Sequence, residues 1–213
     1  MRSDAQQNVV SLLDAAKTVF ARSGVDAPAK EITDLAGVGV GTLYRHFPRR
    51  SDLIVAVMQN EIDECIAAAE QLAATLGPWD ALLGSIDRFA DFVGTKSGLG
   101  AALHSGDPAY DGLPGRLLDQ FVPVFDELLT RAVDAGCARA DVTAREVLLT
   151  VALLCQAGQA GQAGQPGQPT QPGQPTQPDQ PIQPIPPAAN RRMIRIFVDG
   201  LAGTGIRAQA APQ

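Results

Sequence analysis

The sequence predicts an all-α protein, on three observations. Alanine and leucine abound while aromatics make up only 5% of the residues, a balance that favours helix over sheet. Valine, isoleucine and threonine do not cluster in the alternating runs that mark strands. In segment after segment, apolar residues instead recur three and four apart, the spacing that lines one face of a helix. With 213 residues, 45% of them hydrophobic, the chain suits one medium domain or a small domain fused to a larger one.

The elements follow in order. Val9, Leu12, Leu13, Ala16, Val19 and Phe20 lie at helical spacing, and Gly24 ends that first helix. Pro28 fits the first position of a short second helix that ends near Ala36. Gly37, Gly39 and Gly41 crowd the segment that follows. Leu43 and Phe47 share one face of a third helix, which Pro48 closes. A long fourth helix carries Val55, Met58, Ile62, Cys65, Ala69, Leu72 and Leu76 as one apolar stripe, until Gly77 and Pro78 stop it.

A fifth helix is predicted over residues 79–95, with Leu82, Ile86, Phe89 and Val93 on its face. Residues 97–115 are glycine-rich and broken, with one short helix expected around 99–104. A helix over 117–135 carries Phe121, Phe125, Leu128 and Ala132, and Pro123 inside it should kink it. Residues 144–155 are apolar nearly all round, which implies burial on several sides.

Composition then changes abruptly. From Gln156 to Gln183 a glutamine falls at every third residue, and nine of the 16 prolines lie between Pro166 and Pro187. Proline at that density forbids helix and sheet and favours polyproline II. Thr170 and Thr176 break the glycine repeat that a collagen triple helix needs. Residues 156–189 are therefore expected to be a disordered Gln/Pro/Gly spacer, the sharper alternative being a docking site for a proline-binding domain. Asn190 is the expected N-cap of a last helix carrying Met193, Ile194, Phe197 and Leu201, with a frayed tail from Gly203.

Charge is segregated. Residues 1–50 hold seven Lys/Arg and five Asp/Glu, a balance of +2, so the remainder carries −8 of the total −6. Residues 35–51 contain no acid at all. Phosphate binding depends on the field near the contact, so an acidic total does not exclude a local nucleic-acid surface. Cys65, Cys137 and Cys155 are odd in number and widely spaced, which suits free thiols in a reducing cytoplasm. No run approaches a membrane span and no signal-peptide pattern opens the chain, so the protein is expected to be cytoplasmic with no membrane partner.

An enzyme is disfavoured. His46 and His104 are the only histidines, and no Cys/His cluster has metal spacing. No nucleophile elbow or phosphate loop appears, and Gly37, Gly39 and Gly41 lack both the upstream strand and the full dinucleotide fingerprint. No catalytic residue, metal or cofactor is expected.

Two short helices joined by a glycine-bearing turn read as a helix-turn-helix, whose second member enters the major groove. That pattern alone is weak. The words AGVGVGTLYRHFPRRSDL, residues 36–53, sharpen it. They closely resemble the signature of the TetR (tetracycline-repressor) family, an Ala-Gly-Val turn leading into Gly-Thr-Leu-Tyr-x-His-Phe and a basic pair. The preceding VVSLLDAAKTVFARSGVDAPAKEI is similar to that family's first two helices, and the resemblance covers about residues 8–60.

The resemblance implies a DNA-binding domain over residues 1–50 and a helical effector-binding and dimerisation domain over 51–213. Thr42 offers a hydroxyl at the start of the recognition helix, where phosphate contacts are favoured. Tyr44 reaches a phosphate or a thymine methyl, or else simply packs. Arg45 is the best candidate for reading a base edge, since a guanidinium binds guanine bidentately. His46 donates to a phosphate or is a structural histidine. Arg50 matches the family's usual lysine at the head of the fourth helix and should grip the backbone. Arg49 assists or is merely solvated, and Lys30 faces the same side. Leu43 and Phe47 belong to the core. Gly39, Val40 and Gly41 complete the expected DNA face. Gly39 stands where a serine or threonine often caps the helix, and Val40 where a polar or basic residue is usual, so operator preference is open.

The implied partners are a pseudo-palindromic operator, a second copy of the chain and an unknown small-molecule effector. Residues 147–154 and 193–201 are the expected dimer faces. Met58, Trp79, Phe89, Phe92, His104, Phe121 and Phe125 are candidate walls of an effector pocket, or else ordinary core. The implied function is a transcriptional regulator, a repressor released by its effector. The alternative is a helical interaction module that does not bind DNA.

Overall fold

The computed structural model describes residues 2–94, 110, 113–157 and 187–203. The described residues form eight helices and no sheet, so the all-α expectation holds. They are α1 (Arg2–Ser23), α2 (Ala29–Ala36), α3 (Val40–His46), α4 (Arg50–Thr75), α5 (Pro78–Gly94), α6 (Leu113–Asp134), α7 (Ala144–Ala157) and α8 (Pro187–Leu201). The short helix expected at 99–104, with His104, lies outside the described residues.

Helices α1 to α3 close around Leu12, Ala16, Val19, Phe20, Ile32, Leu43 and Phe47, all buried. That unit meets the rest of the chain where α1 packs on α4. Lys17 of α1 crosses the joint to Glu61 and, at 3.3 Å, Glu64 of α4. Helix α5 lies at the centre of the larger unit, against α4, α6 and α7, and α8 packs on α7. Cys65 and Cys155 are buried and Cys137 is half-buried. Burial pushes the Cys155 thiol up to about 11, which leaves it unreactive at neutral pH.

Several boundaries differ from the sequence reading. Pro28 stands outside α2 as its cap residue rather than at its first position. Helices α5 and α8 instead begin on prolines, Pro78 and Pro187, where the missing N–H costs no hydrogen bond. Asn190 is therefore inside α8, not its N-cap, and residues 156–157 and 187–189 of the expected spacer are helical. Helix α6 starts four residues earlier than expected and continues through Pro123. Leu76 lies beyond α4 and is 43% exposed, while Leu53, Ile54 and Val57 join its buried face.

Helix α7 was expected to be buried on several sides. Within one chain it buries Val147, Leu148, Val151 and Cys155 but leaves Leu149 and Leu153 exposed. On α8, Ile194, Val198 and Leu201 face the core while Met193 and Ile196 face out.

The far end of α8 is fixed by backbone. The Arg139 N–H donates to the Leu201 carbonyl at 3.0 Å, and the Gly203 N–H donates to the Cys137 carbonyl at 2.8 Å. Ala138 and Ala202 form an antiparallel bridge between these two bonds. A Cβ at residue 203 would sit 2.8 Å from the Gly136 carbonyl oxygen, so this close approach requires glycine.

Candidate nucleic-acid interface

The turn between α2 and α3 is set by glycine. Gly37 adopts φ 70°, ψ 27°, a left-handed conformation that costs glycine nothing. It lets the Val38 N–H reach back to the Thr33 carbonyl at 3.1 Å. Gly39 then extends, and its carbonyl accepts the Thr42 and Leu43 N–H groups at 2.9 and 3.4 Å. No side chain caps α3, as its lack of serine or threonine at residue 39 predicts.

One face of α3 is held and the other is presented. Leu43 and the following Phe47 are buried in the core, and α3 packs on α2. Val40, Gly41, Tyr44, Arg45 and His46 are exposed and Thr42 is half-buried. Tyr44 is 53% exposed, too much for a packing residue. A side chain at residue 41 would meet no neighbour within 4 Å, so glycine there leaves the protein surface bare. The His46 ring lies 6.3 Å from that of Phe47, tilted against it.

The flanking cations have different surroundings. Lys30 on α2 forms an exposed ion pair with Asp34 at 2.7 Å. The Arg49 guanidinium forks onto Asp52 at 2.7 and 3.1 Å, and the Asp52 carboxylate also accepts the Arg49 N–H at 3.0 Å. This caps the start of α4, and the Arg49 side chain holds the Asp52 carboxyl below its usual range. Arg50 turns inward. Its Nε donates to the Val25 carbonyl at 2.8 Å and its Nη2 to the Ala27 carbonyl at 2.6 Å. Its Cζ lies 4.9 Å from the centre of the Phe20 ring. Burial lowers the guanidinium from its ordinary value.

Lys30, Gly39 and Arg49 are exposed beside α3, and the other expected DNA residues fall into two sets. Val40, Gly41, Thr42, Tyr44, Arg45 and His46 share the exposed side of α3, while Arg50 lies behind it against the loop between α1 and α2. The sequence reading missed the partners Val25, Ala27 and Phe20, which lie 23 to 30 residues from Arg50 and leave no local signal. It also missed Asp52, whose spacing three residues after Arg49 was legible.

The expected effector walls are brought together mainly as core. Phe89, Phe121 and Phe125 are fully buried with ring centres 5.0 to 6.5 Å apart, and Met58 is buried too. Phe92 and Trp79 are half-buried, Phe92 lying edge-on to Phe121 at 5.3 Å. A cavity of about 650 Å³ lies elsewhere, between α5 and α8, lined by Asp87, Asp91, Arg191, Arg195 and Ile194 among others. No group of three metal-binding side chains occurs among the described residues, and no described helix is long and apolar enough to cross a membrane.

The chain is similar in sequence and fold to known regulatory proteins. Residues 12–57 match the family model described as bacterial regulatory proteins, tetR family. Residues 77–171 match the C-terminal domain of SbtR-like transcriptional regulators. Among solved structures, a TetR transcriptional regulator of Streptomyces coelicolor is 29% identical, with a TM-score of 0.66 over 92% of this chain and 99% of that one. A TetR transcription regulatory protein of Mycobacterium vanbaalenii is 28% identical, with a TM-score of 0.67 over 94% and 98% of the two chains. An HTH-type transcriptional regulator of Staphylococcus aureus is 36% identical over 81 residues, 37% of this chain. That match spans 42% of the relative's own length.

Proposed function

The chain belongs to the TetR family of bacterial regulatory proteins, and from that membership we propose a sequence-specific DNA-binding transcriptional regulator that represses until a small molecule releases it. The observation that carries the reading is the presented face of α3. It offers Thr42, Tyr44, Arg45 and His46 to solvent from a helix anchored by Leu43. Arg45 reads a base edge, Thr42 and His46 hold phosphates, and Tyr44 touches a phosphate or a thymine methyl. Gly39, Val40 and Gly41 keep the leading end of α3 low enough for close approach. Lys30 and Arg49 add charge at the flanks, each shared with its own carboxylate.

Two copies act together. The apolar residues left exposed on α7 and α8 pair with the same residues of a second chain, which sets two α3 helices at one spacing. The operator is then a pseudo-palindrome with half-sites roughly 10 bp apart, or a multiple of that. The effector enters the larger unit, where half-buried Trp79 and Phe92 are the expected walls it reaches without opening the core. Its binding favours a dimer whose α3 spacing no longer fits DNA. The regulator works in the cytoplasm and performs no catalysis.

Selection of duplexes from a randomised library by the purified protein tests this, followed by footprinting. A two-fold motif supports it, and recovery no better than a bead-only control overturns it. Arg45→Ala should weaken binding to the selected duplex by roughly 1–3 kcal/mol and relax preference at one base pair per half-site. An identical motif from wild type and variant would remove Arg45 from base reading.

A further inference from the structure

We propose that Arg50 is a positioning residue for DNA binding, a fork that staples the loop between α1 and α2 to the head of α4 and makes no phosphate contact of its own. The inference rests on the DNA-binding reading above.

The contacts of Arg50 reach two parts of the N-terminal unit, α1 and the loop that follows it. Phe20, 1% exposed, lies in the last turns of α1 and offers its ring face. Val25 and Ala27 offer carbonyls from the loop, at 2.8 and 2.6 Å. Ala27 is only 6% exposed, so Arg50 supplies this carbonyl with a partner where water has little access. Tyr44 of α3, Asp26 and Tyr110 lie close enough to act on the Arg50 charge. The guanidinium therefore ties the end of α1 and the loop to the head of α4.

The loop is the place where such a staple has leverage. Helix α2 begins at Ala29, two residues beyond the stapled Ala27 carbonyl, and no side chain caps it at Pro28. Helix α2 in turn carries α3 through the fixed turn at Gly37. A shift of the loop thus moves α2 and α3 together. Arginine suits the task because its planar fork presents donors to two carbonyls at once. Lysine is a single point charge and does not reproduce that pair. The neighbouring Arg49, exposed and tied to Asp52, is the cation this corner turns outward.

Two measurements on Arg50→Met and Arg50→Lys decide the matter. The first is amide hydrogen exchange on the free full-length protein. Both variants should speed exchange across residues 24–29 by about tenfold or more while α5 stays protected, as expected when local opening is released. Unchanged exchange there overturns the staple. The second is affinity against salt concentration, with a duplex recovered by the wild-type protein from a randomised library. Both variants should bind roughly tenfold more weakly with the wild-type salt slope, because no phosphate contact is lost. A slope reduced by about 0.9 overturns the role and makes Arg50 a phosphate ligand. Full rescue by Arg50→Lys overturns the fork, since charge alone would then suffice. If the wild type recovers no duplex, the DNA-binding reading fails and the role with it. If it recovers one and a variant matches it in affinity and slope, the role fails alone.

Discussion

Leu153→Glu is expected to turn the regulator into a folded monomer that has lost most of its operator affinity. Leu153 is 64% exposed on α7 and Ile196 is 63% exposed on α8, with Leu149 and Met193 beside them at 42% and 36%. Helices α7 and α8 pack on one another, and each leaves two of these apolar side chains uncovered by its own chain. A carboxylate there is solvated in the monomer, so the fold tolerates it. In a two-fold interface the same carboxylate meets apolar surface from the partner and must be desolvated. Sedimentation equilibrium should show one chain per particle, with unchanged far-ultraviolet circular dichroism. Operator affinity should fall by about 10²–10⁴, the factor that simultaneous engagement of two sites contributes. A dimeric Leu153→Glu protein would place the interface elsewhere.

Phe89→Ala should cost about 3–5 kcal/mol, the range for emptying a fully buried aromatic site. Phe89 is 2% exposed and meets Phe121, Phe125 and Phe92 at 5.0, 5.9 and 6.1 Å between ring centres. It sits on α5, the helix that touches α4, α6 and α7, so the void opens at the middle of the larger unit. In a chain of this size each kcal/mol lowers the melting temperature by about 2–4 °C, so a drop of roughly 10 °C is expected by calorimetry. The measurement separates two roles for the phenylalanine cluster. A structural core loses stability on truncation. The wall of an open effector pocket would lose little, and a drop under about 1 kcal/mol would return Phe89 to the pocket.

Most of the fold was legible because most of it is local. Apolar spacing of three and four placed α1, α4, α5 and α6, and Gly24, Gly37, Gly77 and Pro78 marked where helices stop. The recognition helix was legible for a further reason: Leu43 and Phe47 occupy one side of it, which assigns the other side to solvent. What could not be read depends on partners far apart in sequence. The Gln59 and Gln120 amides pair reciprocally across α4 and α6 at 2.6 and 3.1 Å, 61 residues apart. Arg50 meets carbonyls that carry no residue-type signature, because every residue has one. Apolar content also overstated the burial of α7, since it says how apolar a helix is and not whether its cover comes from the same chain.

The backbone clasp at residues 137–139 and 201–203 separates two jobs that a continuous chain usually combines. Register of α8 is set at its far end, by the clasp and by Ile194, Val198 and Leu201. The covalent connection between Ala157 and Pro187 is then expected to contribute proximity alone. It sets an effective concentration, on the order of millimolar for a short tether, at which α8 meets its seat. Cleavage anywhere within that connection should leave a two-piece protein that still elutes as one particle at high concentration and parts on dilution. Loss of α8 immediately on cleavage, at any concentration, would mean that the connection also directs where the helix lands.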